Sequence, residues 1–254
     1  MMKIWVLLHG HRFDGLLQNT ISSIQRFWGV QPILLMDGVS KRSSNPTSCK
    51  ILYGVPHGRS AAPVANVALG WAHMSRIVDQ TDWVVYLEYD CLVRSSRFLS
   101  NLHAAHSEKI SMLGTNGRAM MCNVPSLTND QRSFSYYFLG CFSAIRGEML
   151  KKMQDQDYFA KIYNLLDHTG RVREYDGYDF SEVAYPSFVR SHGGRVGVLS
   201  SYDEIQDRWH GSYQNFPVRW KPEIPSSRVF QNASVLHPIK SIDHPLRKGI
   251  ETDL

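Results

Sequence analysis

Short, nearly unbroken apolar runs alternate along this chain with stretches in which apolar side chains return every third or fourth position. The first pattern suits a buried strand, the second a helix with one buried face. Residues 3–8 (KIWVLL) are such a run, and Phe13, Leu16, Leu17, Thr20, Ile21, Ile24, Phe27 and Trp28 follow at helical spacing, so the chain opens as a β-α unit. A second run, Ile33 to Met36, stops at Asp37-Gly38, and a polar loop from Ser40 to Ser48 leads to a short strand around Ile51 to Tyr53. Ser60 is placed to cap a helix reaching about Val78, with Pro63 in its first turn, where a missing N–H is harmless. Residues 83–87 (WVVYL) are the most strand-like run, and they end abruptly at Glu88-Tyr89-Asp90. Further on the pattern predicts a helix near 96–106 and a strand at 110–113. A Gly/Asn/Pro-containing stretch to Ser133, an apolar run from Tyr136 to Phe142, and helices at 147–153 and 158–168 complete it.

Strands alternating with helices over the first 110 residues predict an α/β fold with a mostly parallel central sheet flanked by helices, whose ligands sit at the carboxyl ends of the strands. From Ser200 onward the prolines at 217, 222, 225, 238 and 245 and the lack of a long periodic run predict an extended C-terminal segment, 200–254, that wraps a domain spanning 1–199. With 254 residues, 43% of them hydrophobic, the chain can bury a substantial core, which excludes a disordered protein.

The net charge of +5 suits anionic small molecules or a membrane surface, and without a cluster of basic residues it does not suit a nucleic-acid groove. No apolar segment approaches the ~18 residues of a membrane span. Residues 4–8 are too short and too soon followed by charge to be a signal peptide. Cys49, Cys91, Cys122 and Cys141 show no CxxC spacing. The expectation is reduced thiols in a cytoplasmic protein, with peripheral contact at the inner face of the membrane as a variant.

Glu88 and Asp90 are the sharpest chemical feature. Side chains two apart on an extended chain share a face and lie ~6–7 Å apart, so both carboxylates would project from one strand end. Such a pair is relieved by a raised pKa, a basic neighbour or a divalent cation; Mg²⁺ or Mn²⁺ would complete its shell with substrate phosphates. Solvated acids at a strand end are the plain alternative.

The segment VVYLEYDCLV (84–93) resembles the strand and DxD-type motif of GT-A fold glycosyltransferases, close to the family 2 type, with Glu in place of the first Asp. Other segments follow in that family's order. KIWVLLHGHR resembles the first nucleotide-binding βα unit, ILLMDGVS (33–40) the second strand with its terminal acid, and RSAAPVANVALGWA (59–72) the Arg/Asn helix before the DxD strand. FLGCFSAIRGEML (138–150) is similar to the acceptor-side strand and helix, and DFSEVAYPSFVRSHGGRVGV (179–198) to the segment bearing the catalytic acid. Two departures stand out: one Asp (Asp37) where two are common, and Ser181-Glu182 where the family pairs two acids.

The resemblance implies a single GT-A-like (nucleotide-diphospho-sugar transferase) domain, with a donor half at about 1–115 and an acceptor half at 116–199. It implies Mn²⁺ or Mg²⁺ as cofactor, a UDP- or GDP-sugar donor, and a glycan or lipid-linked acceptor in surface glycan or polysaccharide synthesis. Asp90 becomes a metal ligand, Glu88 a metal or ribose contact, and Asp37 a contact to base or ribose. His9 and Asn66 line the nucleotide pocket and Arg59 faces a phosphate. Asp179 or Glu182 serves as base. In the tail, HPIK (237–240) resembles the His that completes the metal shell in some GT-A enzymes and the Lys that holds the diphosphate, with His210 as a second candidate ligand.

Simpler readings stand beside these. Asp179-Phe180-Ser181-Glu182 also fits a capping box, and Pro186 seven residues on predicts that the helix it opens is only a short turn. Asp176, beside Gly177, reads as a turn residue. Two other functions compete. A sugar-phosphate nucleotidylyltransferase shares the architecture but carries a Gly-rich loop where this chain has HGHRFDG. A non-catalytic glycan-binding module would use Trp209, Tyr213, Phe216 and Trp220 to stack on sugars.

Overall fold

A computed structural model describes residues 2–38, 48–55, 62–115, 118–122, 133–137, 140–165, 180–199, 201–203, 208–210, 233–248 and 250. The first βα unit is β1 (Ile4–Gly10) and α1 (Gly15–Trp28). The helix starts where Asp14 accepts a hydrogen bond from the Leu17 N–H at 2.9 Å, and it stops at Gly29, whose φ of 65° is the left-handed value glycine adopts without a Cβ clash. Next come β2 (Ile33–Met36), β3 (Ile51–Tyr53), α2 (Ala62–Ile77), β4 (Trp83–Glu88), β5 (Leu92–Val93), α3 (Arg97–Ser107) and β6 (Ile110–Thr115). The hairpin β7 (Arg118–Cys122) and β8 (Ser133–Tyr137) precedes β9 (Phe142–Arg146), α4 (Gly147–Asp155), α5 (Tyr158–Leu165), α6 (Phe180–Ser191) and β10 (Arg195–Leu199). The tail contributes a second hairpin, β11 (Ser201–Asp203) and β12 (Arg208–His210), and then β13 (Val235–Leu236).

Seven strands form the central sheet in the order β10-β6-β9-β4-β1-β2-β3. Its pairs are parallel except where β9 inserts antiparallel between β4 and β6. Strand alternation divides the core between two layers. Leu7, Leu35, Val84 and Tyr86 pack under α2, α4, α5 and α6, while Val6, Leu8, Val85 and Leu87 pack on the other face against α1 and α3. The architecture is therefore the expected α/β one, a mostly parallel sheet flanked by helices on both faces.

Three local expectations are corrected. The run from Tyr136 to Phe142 is not one element: β8 ends at Tyr137 and β9 begins at Phe142, with Gly140 and Cys141 in a turn between them. The Gly/Asn/Pro stretch before it contains β7, which pairing with β8 stabilises. Pro186 does not end its helix, because α6 runs through it to Ser191. Proline removes one backbone bond, and Val183, Tyr185, Phe188 and Val189, all buried, hold the helix on the sheet regardless.

Residues 233–248 lie against the domain. β13 pairs antiparallel with β5, and Leu236, Ile239 and Leu246 form a small apolar cluster with Leu92. Ser234 Oγ accepts the Phe98 N–H at 3.1 Å and so caps α3, whose own Ser96 makes no side-chain cap. The Arg247 guanidinium is buried and donates to Asn19 Oδ1 (2.8 Å), to Cys91 O (3.1 Å) and to Ile239 O (2.8 Å), binding the segment to α1 and to the chain after β4.

At the amino ends of the strands Asp82 is a structural acid. Its carboxylate accepts the Lys3 N–H (3.0 Å), the Asp79 N–H (3.0 Å) and the Trp5 indole N–H (2.9 Å). Burial pushes its pKa up, but these three donors outweigh burial and hold it below the ordinary value. A depressed pKa contributes stability that is present above the unfolded value of about 3.9 and lost as pH falls through the folded value. Asp82→Ala is expected to cost about 3 kcal/mol in urea unfolding at pH 7, and the difference from the parent should shrink towards pH 3.

Candidate active site

The strand order reverses at β1, whose neighbours are β2 on one side and β4 on the other. In an open α/β sheet the crevice beyond the carboxyl ends at such a reversal is where ligands bind. His9 and Glu88 are paired there, on β1 and β4.

Asp37, at the end of β2, is the centre of a buried polar network. Its Oδ1 lies 2.5 Å from His9 Nε2 and also accepts from Asn66 Nδ2. The other ring nitrogen of His9 lies 2.6 Å from the Tyr86 hydroxyl. Asn66, on α2, accepts the Val55 N–H at 2.6 Å and donates to Val55 O at 3.0 Å. Gly54 makes this possible, because a Cβ there would stand 2.2 Å from Asn66 Oδ1. Asn66 is thus fully buried and not a solvated helix position, and it ties the ends of β2, β3 and α2 into one rim.

The Glu88-Asp90 pair departs from the extended geometry expected of it. β4 ends at Glu88, and a turn closed by the Cys91 N–H to Glu88 O (3.0 Å) folds Asp90 back. One ligand atom each from Glu88, Asp90 and His237 lies within 4.8 Å of the others, closer than a pleated strand would bring the two acids. His237 Nε2 is 3.0 Å from Asp90 Oδ1 and 3.3 Å from Glu88 Oε2. Asp90 and His237 are 4% and 2% exposed, whereas the Glu88 side chain is 30% exposed and opens the group to solvent.

The donor set fits a divalent cation. Asp90 Oδ1 is buried in an ion-pair contact that lacks hydrogen-bond angles, and two carboxylates and an imidazole converge on one point. Burial works against the Asp90 carboxylate, but His237 and the charge of Lys240 outweigh it and keep its pKa below the ordinary value. Burial likewise pushes the His237 imidazolium down, while Cys141 and Asp90 hold it well above the usual histidine range. The Cys141 and Cys91 thiols are themselves pushed up by burial, so the anions beside the imidazolium are the carboxylates, Asp90 at 3.0 Å and Glu88 at 3.3 Å.

Glu182 lies in the first turn of α6, buried, and its Oε1 accepts the Gly140 N–H at 2.7 Å. The next residue, Cys141, accepts the Glu88 N–H at 3.0 Å, so one turn joins Glu182 to the rim that carries the metal group. Lys240 is exposed just beyond His237. Arg59, Asp176 and Asp179 lie outside the described residues, as do Tyr213, Phe216 and Trp220 and the side chains of Trp209 and His210. The structure adds Tyr86, Cys141 and Arg247 to the residues that shape the site. Tyr86 left a trace in the sequence as a hydroxyl in an otherwise apolar strand, and Cys141 lies within the FLGCFSAIRGEML segment.

No family model matches the sequence, and no curated protein matches it. Among solved structures the chain is similar in fold to the 4-diphosphocytidyl-2C-methyl-D-erythritol synthase of Anaerococcus prevotii, with a TM-score of 0.43 and 14% identity over 78% of this chain and 88% of that one.

Proposed function

We propose that this chain is a metal-dependent GT-A-type glycosyltransferase that moves a sugar from a UDP- or GDP-sugar to an acceptor hydroxyl. The observation that supports it is the convergence of Glu88, Asp90 and His237 at the carboxyl end of β4, beside the reversal of strand order. The acceptor is a glycan or lipid-linked sugar, approached from the Glu182 side. For a lipid-linked acceptor the +5 net charge favours peripheral contact with an anionic membrane; among the described residues no helix is long and apolar enough to cross one.

The mixed oxygen and nitrogen donor set suits Mn²⁺ better than Mg²⁺, which prefers oxygen alone. A cation held by these three residues would offset charge on the leaving diphosphate. Lys240 would contact the same diphosphate, and the His9-Asp37-Asn66 rim would form the wall against which the nucleoside lies. In an inverting transfer the acceptor oxygen bonds to the anomeric carbon as the bond to the diphosphate breaks. The acceptor proton passes to the Glu182 carboxylate, oriented by Gly140.

A thermal-shift panel of UDP, GDP, CMP and their sugars tests the reading. One nucleotide and its sugar should raise Tm in Mn²⁺ and not in EDTA, and bound ligand at a hundredfold excess over Kd contributes about 2.7 kcal/mol. Absence of any shift would overturn it, and release of pyrophosphate during turnover would mark a nucleotidylyltransferase instead.

A further inference from the structure

A polar cavity lies at the end of the sheet opposite the Glu88-Asp90-His237 group. Because β9 is antiparallel to β4, Arg146 at its carboxyl end pairs with Trp83 at the start of β4. The five strand steps from Trp83 to Glu88, at ~3.3 Å each, separate Arg146 from the metal group by roughly 17 Å. A cavity of about 500 Å³ opens there, lined by Arg146, Lys109, Lys152, His106 and His192, with Glu148 as the acid on its wall.

The cavity is short of negative charge. Glu148 is shared between Lys152 (3.3 Å) and Arg146 Nη1 (3.7 Å). Among the described residues, Arg146 Nε and His106 Nδ1 are buried and have no hydrogen-bond partner, and a buried guanidinium N–H without an acceptor is costly. Burial first, and then the charges of Arg146 and His103, hold His106 below the ordinary histidine pKa. Lys109 occupies the turn between α3 and β6 with a φ of 58°, a left-handed conformation that a lysine adopts at a cost and a glycine would not.

We propose that this cavity binds the diphosphate group of a small molecule, with Arg146 and Lys109 as its principal donors, at a site distinct from the metal group. Arg146 supplies planar N–H donors that match phosphate oxygens, and Lys109 and Lys152 supply point charges. The volume exceeds what a single phosphate fills and falls in the range of small-molecule sites. The inference stands on this cavity and does not depend on the glycosyltransferase reading.

Isothermal titration calorimetry with pyrophosphate and with UDP, at fixed ionic strength and in EDTA to silence the metal group, tests it. The intact chain should bind pyrophosphate saturably, and Arg146→Gln and Lys109→Gly should each weaken binding at least tenfold. Lys109→Gly should be no less stable than the parent in urea, because glycine relaxes the positive φ, so its loss of binding cannot be ascribed to unfolding. Arg97→Gln, which removes an exposed cation outside both sites, should bind as the parent does. Tighter binding of UDP than of pyrophosphate, lost with Arg146, identifies a nucleotide as the source, and equal binding identifies free diphosphate. No saturable binding of either probe, or binding unchanged in both cavity variants, would overturn the proposal. Binding weakened as much in Arg97→Gln as in the cavity variants would overturn it too.

Discussion

Asp90→Asn should lower sugar transfer by ~10³-fold or more while the far-ultraviolet circular dichroism stays that of the parent. The amide keeps the shape of the side chain and its place in the turn that Cys91 closes, so the fold has no reason to change. What it loses is the charge. Asp90 is the more buried acid of the metal group, its Oδ1 lies nearer His237 Nε2 than the Glu88 carboxylate does, and an amide oxygen is a poorer ligand than a carboxylate for a hard divalent ion. Mn²⁺ affinity, measured by calorimetry, should fall in parallel with turnover. A variant that keeps more than about a tenth of the parental turnover would take Asp90 out of the mechanism.

Glu182→Gln should bind the donor normally and transfer almost nothing, with turnover lower by ~10²–10⁴. Glutamine can still accept the Gly140 N–H, so the side chain keeps its position and the comparison isolates the loss of a proton acceptor. A purely structural Glu182, anchoring the turn before β9 or capping α6, predicts the reverse: near-normal turnover per folded molecule. Asp179→Asn is the companion variant, since asparagine caps a helix as well as aspartate does and should leave activity in place. A fully active Glu182→Gln would refute the assignment, and loss in Asp179→Asn alone would give the role to Asp179.

The sheet was legible where strands are buried on both faces. WVVYL and KIWVLL are continuous apolar runs because α-helices cover each side, and the abrupt change to Glu88 and Asp90 marks the point where the strand leaves that cover. Asp37, His9 and Asn66 stood out one by one as polar residues next to such ends, but nothing local says that they share one carboxylate oxygen. That contact is made by the order of strands in space. Pro186 misled because a local rule for helix interiors was outweighed by the packing of α6 on the sheet. Arg247 left no trace at all. It sits in a segment without periodicity, and its partners Asn19 and Cys91 come from the other end of the chain.

The docking of residues 233–248 also sets an order of events during synthesis. Glu88 and Asp90 belong to the early part of the chain, whereas His237, and Arg247 that helps to hold its segment down, come after every strand of the central sheet. At the ~5–20 residues per second of translation, the sheet is fully synthesised some seconds before His237 leaves the ribosome. During that interval the nascent domain carries its two acids without their imidazole. The candidate metal group is therefore completed last, and a chain interrupted between residues 199 and 237 has every strand of its central sheet and still lacks one of the three converging side chains.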